Sequence, residues 1–169
     1  LTPTYEWSVG SQTYSGATLN LATTTAMPDD TVICAATVVD DNGASATLST
    51  SIVLQNQQPT ISAAAISPIS PFADSLVDCA ATVSDADGET PSVAYSWLAN
   101  GGSLGMGSSV QLSSSMVAPG DSLDCEITAT DNYGGVTTDT TTVIIQNSTP
   151  TIDGIAISPS SGINYGTNL

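Results

Sequence analysis

The chain has 169 residues and carries 16 acidic side chains with no Lys, Arg or His, a formal charge of −16. Without cations it cannot neutralise nucleic-acid phosphates or settle on an anionic membrane; it also has no base for a Ser–His or Cys–His pair and no His for a zinc site. No side-chain salt bridge is open to it, so each carboxylate needs water, a backbone donor or a bound cation. Ser, Thr, Gly and Pro are frequent and long charged helix formers are scarce, which points to strands and turns. No run reaches the ~18 apolar residues of a membrane helix, so no membrane insertion is expected in this segment. No basic-then-apolar leader opens the sequence, so a mature chain or a piece of a longer one is expected.

In chain order, the first strong signal is Tyr5-x-Trp7, followed by the strand-like text around Cys34 and the turn Asp40-Asp41-Asn42. These recur. Cys34 and Cys125 lie 91 positions apart, and at that offset residues 28–61 match residues 119–152 without a gap. Pro28 meets Pro119, Asp30 meets Asp121, Gly43 meets Gly134, Gln55 meets Gln146, and Ile66-Ser67-Pro68 meets Ile157-Ser158-Pro159. Tyr5-x-Trp7 meets Tyr95-x-Trp97 at an offset of 90, so one gap falls between the Trp and the Cys. A unit of about 91 residues has the size of a seven-stranded sandwich. The phase predicts residues 1–57 as the C-terminal part of one repeat, 58–148 as a complete repeat, and 149–169 as the N-terminal part of the next. The expectation is a window on a longer array. Completion of partial repeats between molecules is the less favoured alternative, because the two parts together still lack a strand with the first cysteine.

Within 58–148, alternation predicts strands over 60–67, 75–83, 93–100, 103–106, 109–112, 123–130 and 136–146. Val77, Cys79, Ala81 and Val83 share one face of the second strand; Val93, Tyr95, Trp97 and Ala99 share one face of the third; Leu123, Cys125, Ile127 and Ala129 share one face of the sixth. Residues 131–135, Asp-Asn-Tyr-Gly-Gly, read as a hairpin turn whose Asn and Gly supply left-handed backbone.

The order Cys79, Trp97, Cys125 is the spacing of an immunoglobulin-type sandwich, in which two cysteines join the sheets and the Trp packs on the bridge. With Pro59-Thr60-Ile61, Ile66-Ser67-Pro68, Asp85-x-Asp87-Gly88, Tyr95, Pro119-Gly120-Asp121 and Asp131, the chain resembles the tandem Ig-like repeats, close to PKD and cadherin-like modules, of large bacterial surface and secreted proteins. The resemblance implies all-β, tandem Ig-like Greek-key sandwiches serving as stalks, fibres or adhesins, without catalysis. It implies a Cys79–Cys125 disulfide, Cys34 left unpaired by truncation, and Trp97, Trp7 and Tyr95 in the core. The Tyr that antibody domains place two residues before the second Cys is here Leu123. A disulfide sets an extracellular or cell-surface location.

Asp85, Asp87 and Glu89 fall in one loop and Asp131 and Asn132 in another at the same end of a sandwich. Such a set suits Ca2+, which takes six to eight hard oxygens. Ordinary turn aspartates are the plainer reading. Asp40, Asp41 and Asn42 form the equivalent turn one repeat earlier. No other cofactor is expected. Asn147-Ser148-Thr149 is an N-glycosylation sequon, although Pro150 follows it and the equivalent Asn56-Gln57-Gln58 is not one. Asp124 and Glu126 flank Cys125 and read as solubilising charges rather than an acid–base pair, so no enzyme is expected. The function read from this is a structural module of an extracellular stalk, sheath or filament, with neighbouring copies or repeats as partners. The alternative is an adhesin-type module that recognises carbohydrate or a protein, with Tyr133, Tyr14 and Tyr165 as its few exposed aromatics.

Overall fold

The computed structural model describes residues 1–158, 160–162 and 164–166. Among these residues eleven strands form: β1 Thr4–Val9, β2 Gln12–Ser15, β3 Thr31–Val39, β4 Ser45–Val53, β5 Thr60–Ser67, β6 Leu76–Ser84, β7 Ser92–Ala99, β8 Gly102–Met106, β9 Ser109–Gln111, β10 Ser122–Thr130 and β11 Val136–Ile144. They make three sheets with the orders β2-β1-β3-β4, β11-β10-β7-β8 and β5-β6-β9. The one helical element among the described residues is a single 3-10 turn, Leu21–Thr23, far too short to cross a membrane.

The second and third sheets face each other as an Ig-like sandwich. Alternation on β6 buries Val77 and Cys79, and alternation on β10 buries Leu123, Cys125, Ile127 and Ala129. Those residues meet Ile66, Leu112, Val117 and Ile145 around Trp97, which is wholly enclosed. Cys79 on β6 and Cys125 on β10 are disulfide-bonded across the two sheets. The indole N–H of Trp97, left polar in an apolar core, donates to the Gly107 carbonyl at 2.9 Å. Tyr95 is half-buried against this core. Val93, expected inward, is 38% exposed at the start of β7. The short strand β8 pairs with β7 and so joins the sheet that carries Trp97, not the β5-β6-β9 sheet.

The sheet β2-β1-β3-β4 repeats β8-β7-β10-β11 pair by pair. Trp7 lies opposite Cys34 as Trp97 lies opposite Cys125, and Cys34 lies opposite Thr50 as Cys125 lies opposite Thr141. The corner before the Cys strand repeats as well. Asp30 Oδ2 accepts from the Met27 N–H and Asp121 Oδ2 from the Ala118 N–H, at 2.9 and 2.7 Å. Trp7 Nε1 donates to the Gly16 carbonyl at 2.9 Å, matching the Trp97 bond. The single gap between the copies is also explained. The β7–β8 ladder shifts register between Trp97 and Leu98, leaving Leu104 as an extra residue, whereas β1–β2 runs without a shift. The bulge turns Leu104 onto the core.

The two copies differ in what covers them. No second sheet lies on the first one among the described residues, so Trp7 is half-buried and not a core residue, and Cys34 is a half-buried free thiol. Every residue of β4 is exposed, including Leu48 and Ile52. At the other end, residues 151–158, the counterpart of β5, form no strand, and Ile152, Ile155 and Ile157 are exposed. β5 is held by its ladder with β6, and no counterpart of β6 occurs among the described residues to hold 151–158.

Candidate metal centre where the linker meets the sandwich

Asp131 closes the turn between β10 and β11 with its side chain. Oδ1 accepts from the Tyr133 and Gly135 N–H groups at 2.9 and 2.7 Å, and the Asp131 N–H donates to the Gly135 carbonyl. Gly134 supplies the left-handed residue at φ 90°; Asn132, expected to share that role, has negative φ. Asp40 builds the same turn in the first sheet, accepting from the Asn42 and Ala44 N–H groups at 2.9 and 2.8 Å. This is the Asx chemistry that makes Asp a turn residue.

Among the described residues, Asp131 is also the buried polar one. Its Oδ2 accepts from Asn56 Nδ2 at 2.8 Å, a bond that reaches back to the linker between β4 and β5. That hydrogen bond is the main reason its carboxyl titrates below the ordinary range; burial works in the opposite direction, and the loop N–H groups add to the lowering. Asp121 is lowered for a related reason, first by the Ala118 N–H and then by the Asn100 amide.

The loop between β6 and β7 brings Asp85 and Glu89 to the same place. One carboxylate oxygen from each of Asp85, Glu89 and Asp131 lies within 4.8 Å of the others. Backbone groups hold one oxygen of each: Asp85 Oδ1 accepts from the Asp87 N–H at 2.7 Å, and Glu89 Oε1 from the Asn132 N–H at 2.7 Å. The second oxygens of Asp85 and Glu89, and Oδ1 of Asn56, are buried without a hydrogen-bond partner.

Of the five expected calcium ligands, three therefore converge and two do not. Asp87 turns to the linker, where its carboxylate accepts from the Gln57 N–H at 2.7 Å and from Gln57 Nε2 at 3.2 Å. Asn132 offers only its backbone N–H, to Glu89. The turn that Asp85 Oδ1 makes with the Asp87 N–H parts the two side chains, and a residue that anchors the linker cannot also face the cluster. Asn56 was not foreseen. Its sequence signal is the match to Asn147 at the 91-residue offset, which the sequon reading of Asn147 obscured. Asn147 itself is exposed just beyond β11.

Tyr133, expected as an exposed aromatic at a hairpin tip, is 38% exposed in the turn between β10 and β11, close to these acids. Burial raises the pKa of its hydroxyl, and Glu89, Asp30, Asp29 and Asp87 raise it further. Tyr14 is half-buried and Tyr165 is exposed. Asp124 accepts from the hydroxyls of Ser122 and Thr142, and Glu126 from that of Ser96, so both are tied to neighbouring strands.

No family model matches the chain. No curated protein sequence matches it either. Among solved structures it is similar to fibronectin(III)-like modules of CbhA from Clostridium thermocellum, with 15% sequence identity over 85% of this chain and 77% of that one, and a TM-score of 0.39.

Proposed function

We propose that the chain is a structural part of an extracellular repeat protein, in which Ig-like sandwiches follow one another as the beads of a stalk, sheath or filament. The observation that supports it most is the junction. Asn56 and Gln57, in the linker, are hydrogen-bonded to Asp131 and Asp87 of the sandwich that follows. A linker engaged by side chain and backbone holds direction, unlike a Gly/Ser tether that behaves as a random coil. The register-for-register match of the two four-stranded sheets supports repetition as the design. The disulfide suits an oxidising compartment outside the cytosol. The role needs no catalytic residue; neighbouring repeats or copies are the partners.

Electron microscopy of an array containing several of these units tests this. Stiff rods with a regular axial repeat are expected. Beads on a flexible, randomly coiled string would count against a structural stalk and favour an adhesive role for the individual modules.

A further inference from the structure

We propose that Asn42, followed by Gly43 in the turn between β3 and β4, is a site of spontaneous deamidation, and that the fold protects the chain's other Asn-Gly pair, Asn100-Gly101, from the same step. The reaction needs no partner, metal or enzyme, and it stands or falls apart from the stalk reading.

The chemistry is internal to the chain. The Gly43 backbone nitrogen attacks Asn42 Cγ. The new C–N bond closes a succinimide ring, and the side-chain nitrogen leaves as ammonia with the proton that the backbone nitrogen gives up. Water then opens the ring. Opening at the side-chain carbonyl leaves aspartate at position 42; opening at the main-chain carbonyl leaves isoaspartate, with the chain routed through Cβ and Cγ. The sum is a water taken up and an ammonia released, with no change of oxidation state. The attack needs a following residue with no side chain in the way, an Asn side chain free to swing, and a backbone amide that can leave its hydrogen bond. Glycine supplies the first of these.

Asn42 meets all three conditions. It is exposed, its side chain makes no hydrogen bond, and only its N–H is held, by Asp40 Oδ1 at 2.9 Å. Gly43 has φ 86°, and no atom lies within 4 Å of where its Cβ would stand, so the space beside it is open. The Gly43 N–H donates to the Asp40 carbonyl at 3.0 Å, a single bond at an exposed hairpin tip, where local opening costs least. Asn100 fails the second condition. Its Nδ2 donates to the Asp121 carboxylate at 2.8 Å, its Oδ1 accepts from the Ser122 N–H at 3.1 Å, and its own N–H donates to the Ser122 carbonyl. A side chain held at both ends, once by a charge, cannot turn toward the Gly101 nitrogen. Asn132, in the turn equivalent to that of Asn42, is followed by Tyr133, whose side chain hinders the attack. One of two equivalent turns therefore ages. The Asn42 and Ala44 N–H groups share Asp40 Oδ1, and isoaspartate between them adds a backbone carbon that loosens this turn.

The test incubates the intact chain in warm buffer at neutral and mildly alkaline pH. Peptic peptide mapping follows each Asn, since the chain has no Lys or Arg for trypsin. Electron-transfer fragmentation separates isoaspartate from aspartate. Both are expected at position 42, faster at the higher pH because the attacking nitrogen must lose its proton. Position 100 should convert at least about tenfold more slowly, the worth of its charge-assisted side-chain bond. In urea with the disulfide reduced, the two rates should converge. Asp121→Ala should raise the rate at position 100 severalfold, with emission of the enclosed Trp97 reporting that the sandwich still folds. An Asn42 that persists while the unfolded chain converts would overturn the site. Equal rates at positions 42 and 100 in the folded parent would overturn the protection, whatever the variant does, and so would a folded Asp121→Ala chain in which position 100 stays as slow as in the parent.

Discussion

The Cys79–Cys125 bridge gives the most quantitative handle on the sandwich. It joins β6 to β10 across the core and closes a segment with a sequence separation of 46. In the chain-entropy model a loop of that size restricts the unfolded state by about 4 kcal/mol. Within the segment lie β7, β8 and β9, so the restriction falls on three of the seven strands and on Trp97 itself. Replacing both cysteines (Cys79→Ala with Cys125→Ala) is therefore expected to lower unfolding free energy by about 4 kcal/mol, or melting by roughly 15–30 °C for a unit of this size. Urea denaturation followed by Trp fluorescence measures it, because Trp97 is fully enclosed and gains water only when the sandwich opens. Cys34→Ser is the control; its thiol is free, and no change in that transition is expected. A double variant that loses less than about 1 kcal/mol would refute the reasoning, since it would mean the unfolded chain already holds the two cysteine strands near each other.

Trp97→Ala should cost about 3–5 kcal/mol, whereas the half-buried Trp7, matched in register but uncovered, should cost less than about 2 kcal/mol; equal losses in denaturant titrations would contradict the difference in cover. Gly135→Ala should destabilise by about 1–3 kcal/mol, because a Cβ there would fall on Asp131 Oδ2 and lie 2.9 Å from Asn56 Nδ2. Gly134→Ala meets no atom but must hold φ 90°, costing about 1–2 kcal/mol; a harmless Gly135→Ala in the same melting series would mean the junction gives way easily. The carboxyls of Asp121 and Asp131 titrate below their ordinary range, so their contribution is present above an unfolded pKa near 4 and is lost as pH falls through the lower folded value. The stability gap between the parent and Asp121→Asn should accordingly be constant from neutral pH down to about 4 and shrink below it; a gap independent of pH down to acid would exclude the charge as its source.

Strands were legible in the sequence because burial acts on single side chains at period two. Val77 and Cys79, or Leu123, Cys125 and Ile127, announce a buried face in their own local text. The Cys–Trp–Cys spacing announced the bridge. What stayed hidden depends on encounters between distant segments. That Asn56 meets Asp131, 75 positions on, follows from where the linker lands and not from either local sequence. That Asp85 faces the cluster while Asp87 faces Gln57 is set by a loop held through the Asp87 N–H. The one-residue gap in the 91-residue match was visible, but its meaning was not: a bulge that delivers Leu104 to the core looks, in text, like any insertion. Trp7 misled for the opposite reason. Its sequence is that of a core residue, yet burial requires a second sheet, and matching one sheet of a sandwich does not supply the other.

The absence of cations, at first only an exclusion, becomes informative once the acids are placed. Asp30 and Asp121 close equivalent corners, and Asp40 and Asp131 close equivalent turns, each by accepting backbone N–H groups. These are sites where a carboxylate replaces missing backbone partners, so a basic residue is not required to balance it. Asp124 and Glu126 are satisfied by hydroxyls in the same way. A chain that satisfies its acids with backbone and hydroxyl donors can dispense with Lys and Arg at little cost, and its surface stays uniformly negative. That economy fails at one place among the described residues: where Asp85, Glu89 and Asp131 converge, the local donors are used up and buried oxygens remain. An acid-only surface keeps separate strands of such a protein apart through like-charge repulsion, and it also draws divalent cations toward any point where oxygens are already gathered. The same composition that prevents internal ion pairs thus leaves the carboxylates gathered at the joint without a cation of the chain's own, and the linker amide of Asn56 is the side chain that donates to them there.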